Sequence, residues 1–348
     1  MMPKVSVIIV TYDGKEYINA CVRAVFESNY GDVEVIVVDN GSKDGTLPLL
    51  QEKYGARGDF KLVALGKNYG PAYARNRGVE RAKGKYLAFL DNDTRPDPDW
   101  LLEPVKMMEE DSTIGACQCK LLLMDEPERI DYVGDYLSQF GFLAQRAAYR
   151  ALDEGQFDEQ VEIFSAKSAG MLMRKESFDK AGGFDPDYFI YVEETDLAWR
   201  VWLSGYRVVF APNSKVFHKF GTSGEILGRE RQNFLVRCYG SRNYLATLFK
   251  NLGFLNLLKI LPVHFFLWVS TASLLILGGD FRSGGAIFRG LGGFAFRLRG
   301  LYKKRRRIQR ERVISDRNLL PRIMRRKPLS YFFHKWRGRD EDVSSSQS

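Results

Sequence analysis

Three stretches decide the fold: VSVIIVTYDG (5–14), VEVIVVDNGS (33–42) and KYLAFLDNDT (85–94). Each opens on a run dominated by β-branched and aliphatic residues, at 5–10, 33–38 and 85–90. Such runs suit strands buried on both faces of a parallel sheet. Each run then breaks into a polar cluster: Thr11-Tyr12-Asp13, Asp39-Asn40-Gly41-Ser42 and Asp91-Asn92-Asp93. A fourth strand is predicted at 61–65. Between the strands, 16–28, 46–54 and 71–82 carry helical spacing, with Ile18, Cys21 and Val25 on one face of the first and Ala72, Ala74 and Val79 on one face of the third. Strands alternating with helices build βαβ units, and hence an α/β fold with a mostly parallel central sheet. Open parallel sheets bind ligands beyond the carboxyl ends of their strands. Three polar clusters far apart in sequence are therefore expected to gather on one edge.

Working outward, residues 97–235 read as mixed. Strand-like stretches occur at 115–123, 168–174 and 207–212, and helices at 99–109 and 194–203. Beyond 236 the character changes: 251–279 is very apolar, and Gly- and Arg-rich sequence follows. The predicted units are 1–245, divided into a first half (1–96) and a second half (97–245), then an apolar or amphipathic segment (246–300) and a basic tail (301–348). With 348 residues and 45% hydrophobic content, the chain can bury a sizeable core and is not of disordered composition.

The net charge of +9 is unevenly spread. Between Arg282 and Arg339 there are 19 Lys and Arg against two acids, Glu311 and Asp316, a local charge of about +17. The tail acids Asp340, Glu341 and Asp342 follow, which leaves residues 1–281 near −5. A mildly acidic body joined to a basic end points to an anionic partner. No nucleic-acid module is recognisable, so an anionic membrane surface is expected rather than nucleic acid. The four cysteines, Cys21, Cys117, Cys119 and Cys238, lack zinc-ligand spacing and read as reduced thiols of a cytosolic protein. The run at 5–10 is too short for the apolar part of a secretion signal.

Several clusters carry chemistry. Asp91 and Asp93 place two carboxylates at i and i+2 just beyond a buried strand. Like charges so close are costly unless a cation lies near them, and a hard divalent cation with phosphate oxygens fits; a solvated turn is the alternative. Asp39, followed by Asn-Gly, makes a tight turn whose carboxylate can accept from a base imide or a ribose, or simply cap the turn. Glu193, Glu194 and Asp196 open a helix, where the macrodipole favours acids and where a carboxylate can serve as general base. Asp196 and Arg200 stand one turn apart and are expected to pair. His218 is by itself more readily structural than a ligand.

Six segments in order, VSVIIVTYDG (5–14), VIVVDNGSKDGT (35–46), NYGPAYARNRG (68–78), YLAFLDNDT (86–94), GGFDPDYFIYVEETDLAWR (182–200) and VFHKFGTS (216–223), resemble family 2 glycosyltransferases, most closely the rhamnosyltransferase-like branch. The resemblance covers residues 4–245, about 70% of the chain. It implies a GT-A fold and an inverting transfer from a nucleotide diphosphate sugar, assisted by Mn²⁺ or Mg²⁺. Carried over by position, Thr11, Tyr12 and Asp39 bind the nucleotide, and Asn68, Gly70, Arg75 and Asn76 line the donor pocket. Asp91 and Asn92 lie against the ribose or sugar, and Asp93 and His218 hold the metal. Ala169 and Gly170 lie near the acceptor. Glu194 matches the base, with Glu193 as an acceptor ligand or as a sharer of the base role. The family usually has Glu-Asp where this chain has Glu193-Glu194. A catalytically inactive nucleotide-sugar-binding protein and a basic membrane adaptor are the alternatives.

Residues 260–279 carry no formal charge and by length can span a bilayer. A single span would put the basic end outside, against the positive-inside tendency. A segment lying in the interface, or dipping in as a re-entrant hairpin, fits better than a span or a soluble core helix. Lys303–Arg307 and Arg325–Lys327, near Phe332, Phe333 and Trp336, suit anionic headgroups. The expected place is the cytoplasmic face of the cell membrane, peripheral or monotopic, with a lipid-linked glycan as acceptor. Oligomeric state is not legible.

Overall fold

The computed structural model describes residues 5–148, 150–219, 226 and 228–336. Residues 220–223 of the last motif, the side chains of 333–336 and the acidic tail lie outside the described residues.

The first half follows the expected alternation. Strands β1 (Val5–Thr11), β2 (Val33–Asp39), β3 (Phe60–Ala64) and β4 (Tyr86–Asp91) pair in parallel in the order β3-β2-β1-β4. Between them run α1 (Lys15–Phe26), α2 (Thr46–Tyr54) and α3 (Pro71–Val79). In α3, Pro71 opens the helix, where its missing N–H is no loss. Successive strand residues face opposite layers. Ile8, Leu87 and Phe89 pack on one side of the sheet, and Val7, Ile9, Ala88 and Leu90 on the other.

The second half is mixed. It comprises β5 (Thr94–Pro96), α4 (Leu102–Glu110), β6 (Ile114–Leu123), β7 (Ile130–Tyr132), β8 (Asp135–Leu137), β9 (Leu143–Gln145), β10 (Met171–Arg174), α5 (Lys175–Ala181), α6 (Glu193–Leu203) and β11 (Arg207–His218). β10 inserts antiparallel between β4 and β6, and β11 lies parallel beside β6. β8 and β9 form a separate two-stranded ribbon. Strand β11 outruns its predicted end at Pro212: an irregularity between Ala211 and Lys215 absorbs the proline, and pairing resumes to His218. That extension sets His218 opposite Thr94 of β5, next to Asp93.

Among the described residues the helices that follow are α7 (Arg229–Asn251), α8 (Phe254–Leu277), α9 (Phe281–Glu311), α10 (Asp316–Ile323) and α11 (Leu329–Trp336). The boundaries expected at 245 and 300 fall inside α7 and α9. A Cβ on Gly290 of α9 would lie 2.1 Å from Ser241 Oγ and 2.3 Å from the Cys238 carbonyl, so glycine is what lets α9 press against α7. Within the described residues, the basic segment folds back on the body instead of forming a separate tail. Arg322 Nε donates to Glu162 (2.9 Å), Arg305 to the Leu252 carbonyl (2.6 Å), and Lys304 to Asp185 (2.5 Å) and Asp187 (2.6 Å).

Candidate active site

The polar ends of β1, β2 and β4 do meet on one edge. Asp39 ends β2 fully buried. Its Oδ2 accepts from the backbone N–H groups of Gly41 and Ser42, both at 3.1 Å, while Oδ1 is buried with no partner. An orphaned carboxylate oxygen costs free energy unless a ligand supplies a donor. Thr11 ends β1 and accepts from Asn92 Nδ2 (3.3 Å); Tyr12 follows, half-buried. Asn68 Oδ1 accepts from Asn40 Nδ2 (3.0 Å) and from Gly70 N–H (2.9 Å), tying the loop before α3 to the end of β2. Gly70 has φ +84°, and a Cβ there would meet the Phe189 carbonyl at 2.3 Å. The donor-side loop therefore touches the turn that leads into α6.

Arg75 organises the acids. Buried on α3, it donates from Nη1 to Glu193 Oε1 (2.9 Å) and from Nη2 to Asp91 Oδ1 (3.0 Å), with Glu194 Oε1 at 3.6 Å. One guanidinium thus bridges three carboxylates from two distant segments. Burial raises the Asp91 pKa, and the charges of Asp93 and Glu194 add to this against Arg75. Burial also pushes Glu193 up to about 7, reinforced by the charge of Glu194 and opposed by Arg75.

The two glutamates are unlike. The Glu194 side chain is 22% exposed and accepts from Ser168 N–H (2.8 Å) and Ser168 Oγ–H. Glu193 is 4% exposed, and its Oε2 is buried without a partner. Glu193, expected as an acceptor ligand or a sharer of the base role, is thus the more deeply buried of the two, and Glu194 the more open. Ala169 and Gly170 are buried as well; Ser168, which precedes them in a short 3-10 turn (Ser168–Gly170), is the residue that reaches the carboxylate. Asn76, expected in the donor pocket, gives both ends of its amide to the backbone of Phe184, at 2.7 and 3.0 Å. Arg75 is likewise enclosed by acids instead of lining an open pocket.

Asp91, Asp93 and His218 each offer a ligand atom, and these atoms lie within 4.8 Å of one another. His218 Nε2 is 3.5 Å from Asp93 Oδ1, and its Nδ1 lies 2.9 Å from Asp131 Oδ2. Asp131 sits on β7 and is buried. Burial alone would lower the His218 pKa. Hydrogen bonds and charge from Asp131 and Asp93 outweigh it and lift the ring to about 10. The same field that draws a proton to Nε2 draws a divalent cation to that place. A carboxylate on the far nitrogen of a ligand histidine fixes its tautomer and orientation. Two carboxylates and an imidazole thus fit a borderline or hard divalent ion. Asp131 was missed in the sequence because nothing local marks it.

The approach to α6 is strained. Phe189 (φ 63°, ψ −67°) centres a tight turn closed by Ile190 N–H on the Tyr188 carbonyl (2.8 Å), and Tyr191 and Val192 also have positive φ. Aromatic and β-branched residues rarely adopt such conformations. Asn243 of α7 holds this turn: its Nδ2 donates to the carbonyls of Tyr188 (3.1 Å), Ile190 (2.9 Å) and Tyr191 (2.8 Å). Its Oδ1 accepts from Arg242 Nε (2.8 Å), which orients the amide. Beneath the turn, Lys250 Nζ joins Asp185 (2.6 Å) and Asp196 (3.0 Å), and Arg200 pairs with Asp196 (2.9 Å) as expected. The C-terminal helices therefore brace the segment that presents Glu194.

A mixed sheet of this order, with acids and a histidine gathered on the edge beyond β1, β2 and β4, defines a GT-A fold. Among solved structures it resembles S. aureus TarS 1-349 in complex with UDP-GlcNAc (TM-score 0.57, 18% identity, 84% of this chain and 80% of that chain). It also resembles the mannosyltransferase PcManGT from Pyrobaculum calidifontis in complex with GDP-Man and Mn²⁺ (TM-score 0.53, 18% identity, 89% and 86%). The chain belongs to glycosyl transferase family 2, whose model matches residues 6–182. It is a glycosyltransferase. It shares 30% identity over 236 residues with Glycosyltransferase AglE of Haloferax volcanii, covering 66% of this chain and 71% of that protein. With Glucosyl-dolichyl phosphate glucuronosyltransferase of the same organism it shares 24% over 229 residues, covering 62% and 69%.

Proposed function

We propose that this chain moves a sugar, with inversion, from a nucleotide diphosphate sugar to a hydroxyl of a lipid-linked glycan at the cytoplasmic face of the membrane. The observation that carries this reading is the convergence of Asp39, Asp91, Asp93, His218 and Glu194 on one edge of the sheet. The free oxygen of Asp39 takes a donor from the base or ribose, beside Thr11, Tyr12 and Asn68. Asp93 and His218 hold a divalent cation, Mn²⁺ or Mg²⁺, with Asp91 adjacent. When bound, such an ion neutralises charge on a departing diphosphate. Glu194, half-open to the cleft and held by Ser168, takes the proton of the attacking acceptor hydroxyl. Arg75 keeps Asp91 and Glu194 in register. A single displacement needs one base and no covalent intermediate, which suits one carboxylate in the open position and one more deeply buried.

The membrane reading rests on α8 and α9. α8 is long and apolar enough to cross a bilayer. One face of it, however, packs on the body of the protein through Leu257, Ile260, His264, Trp268 and Ala272, which are buried. His264 shares a hydrogen bond with the Phe140 carbonyl (2.8 Å) and accepts from Trp268 Nε1 (2.9 Å); burial lowers its pKa to about 4, so the ring is neutral. A helix fastened along this length to a globular domain fits the interface better than a lipid-surrounded span. The opposite side exposes Leu255, Phe266 and Leu277; Phe254 at the helix start and Phe281 and Phe296 of α9 are exposed as well. A relative named as a Glucosyl-dolichyl phosphate glucuronosyltransferase fits a lipid-linked acceptor.

Glu194→Gln tests the catalytic assignment. The variant should bind nucleotide sugar and Mn²⁺ as the parent does and lose turnover by at least 10²-fold, the lower end of what a general base contributes. Turnover within a few-fold of the parent would remove Glu194 from the chemistry.

A further inference from the structure

Away from the sheet edge, a cleft of about 230 Å³ opens between α7, α9 and the turn at 187–188. Asp187, Tyr188, Arg242, Phe294, Arg297 and Leu301 line it. Its volume lies below the roughly 300–1,000 Å³ of sites for drug-sized molecules, so it suits a head group more than a whole glycan.

Its charge is unbalanced. Arg242 Nη2 donates to the carbonyls of Tyr188 (2.7 Å) and Asp187 (3.1 Å), and Arg297 Nη1 donates to the same Asp187 carbonyl (2.8 Å). Two guanidiniums thus converge on one peptide. Among the described residues neither has a carboxylate partner, because the Asp187 carboxylate is taken by Lys304 (2.6 Å). Arg242 is partly buried and lies over the Tyr239 ring at 4.4 Å. Burial, and then the charge of Arg297, lower its pKa. With Lys304 already on the one lining carboxylate, two guanidiniums held together cost free energy that an added anion would recover. Planar guanidiniums suit phosphate oxygens in particular.

The surroundings are apolar. Phe294 and Leu301 wall the cleft, and the α9 surface beside Arg297 carries Phe296, 91% exposed, and Leu298. Paired cations next to exposed hydrocarbon call for a ligand with an anionic head and an apolar tail. The turn forming one wall runs on through 189–192 to Glu193 and Glu194.

We propose that this cleft binds the phosphate ester of a lipid-linked acceptor, with Arg242 and Arg297 on the phosphates and the hydrocarbon along the exposed face of α9. This rests on the transferase reading and names the part of the acceptor that the helices recognise. The glycan then extends along the turn toward Glu194.

The test uses the full chain in detergent micelles with EDTA, so that no metal recruits a phosphate to Asp93. The probes are farnesyl diphosphate, farnesol and inorganic pyrophosphate, titrated by calorimetry. Farnesyl diphosphate should bind at least tenfold tighter than either other probe. Arg297→Gln and Arg242→Gln should each weaken it about tenfold or more and leave farnesol unchanged. Asp93→Ala should leave it within twofold. Arg297→Gln keeps the test sound if Arg242→Gln disturbs the turn. Unchanged farnesyl diphosphate affinity in Arg297→Gln, or its loss in Asp93→Ala, overturns the assignment. Pyrophosphate binding as tightly as the prenyl ester makes a free phosphate the occupant and overturns the lipid assignment. A chain that binds nucleotide sugar with Mn²⁺ but ignores farnesyl diphosphate fails here and leaves the transferase reading intact. Prenyl diphosphate binding without nucleotide-sugar binding does the reverse.

Discussion

Asn243→Ala separates positioning from mere folding. The turn at 188–192 carries three residues at positive φ, Phe189, Tyr191 and Val192, each costing of order 1–3 kcal/mol. Against that strain, the two N–H groups of a single amide serve three carbonyls. At about 1 kcal/mol net per hydrogen bond, shared over two hydrogens, Asn243 contributes about 2 kcal/mol to holding the strained form. Removing it shifts the competent population by up to about 30-fold, since 1.36 kcal/mol is tenfold. We expect kcat to fall about 10- to 30-fold. Donor affinity, set at Asp39 and the β-strand ends, should stay within about twofold, because the opening is local. Tm should fall by only about 4–8 °C, at 2–4 °C per kcal/mol. Asn243→Asp, equal in shape but with no N–H to donate, should be no better than alanine. The assay is steady-state transfer with kcat and KM resolved, beside donor titration. A parent-like kcat together with the expected loss of Tm would make Asn243 a structural residue only and refute the reasoning.

Asp131→Asn keeps the shape beside His218 Nδ1 but removes the charge. Metal affinity, titrated with nucleotide present, should weaken about 10- to 100-fold, as for other partners of ligand histidines; an unchanged metal Kd would dissociate Asp131 from the site. Lys250→Met leaves Asp185 and Asp196 without their shared cation, a loss of about 3–5 kcal/mol for a broken buried pair, so Tm should drop on the order of 10 °C. Burial raises both carboxyls, but Lys250 and Lys304 hold Asp185, and Lys250 and Arg200 hold Asp196, below the usual carboxylate range. A pKa depressed on folding stabilises above the unfolded value, near 4, and that stability is lost as pH falls further. The parent should therefore weaken below about pH 4, and Lys250→Met should show a shallower acid dependence in thermal melts between pH 3 and 7. Parallel acid profiles would count against this cluster.

The four parallel strands and the helices between them were legible because each strand is apolar along its whole length and ends abruptly in polar residues. α2 begins and ends where its spacing placed it. Asp39, Asp91 and Asp93 were legible for the same reason: a carboxylate directly after a buried strand lies at the sheet edge whatever else the chain does. The direction of β10 was not, since its three apolar residues, Met171 to Met173, read the same in either sense. Nor was the length of β11, where Pro212 reads as a stop and an irregularity carries the strand past it.

Tertiary contact alone decided the rest. Which glutamate faces the cleft depends on Arg75, 118 residues away from Glu193 in sequence, and on Ser168 from another turn. Whether His218 is structural or a ligand depends on Asp131 and Asp93, which β11 meets only because its pairing resumes after the irregularity. The left-handed turn at 189–192 runs against the local preference of its own residues and persists because Asn243 holds its carbonyls. Burial patterns and chain breaks are written in neighbouring residues and can be read one segment at a time. The orientation and charge of a buried side chain depend on the groups that replace its water, and those come from distant segments that only the folded chain brings together.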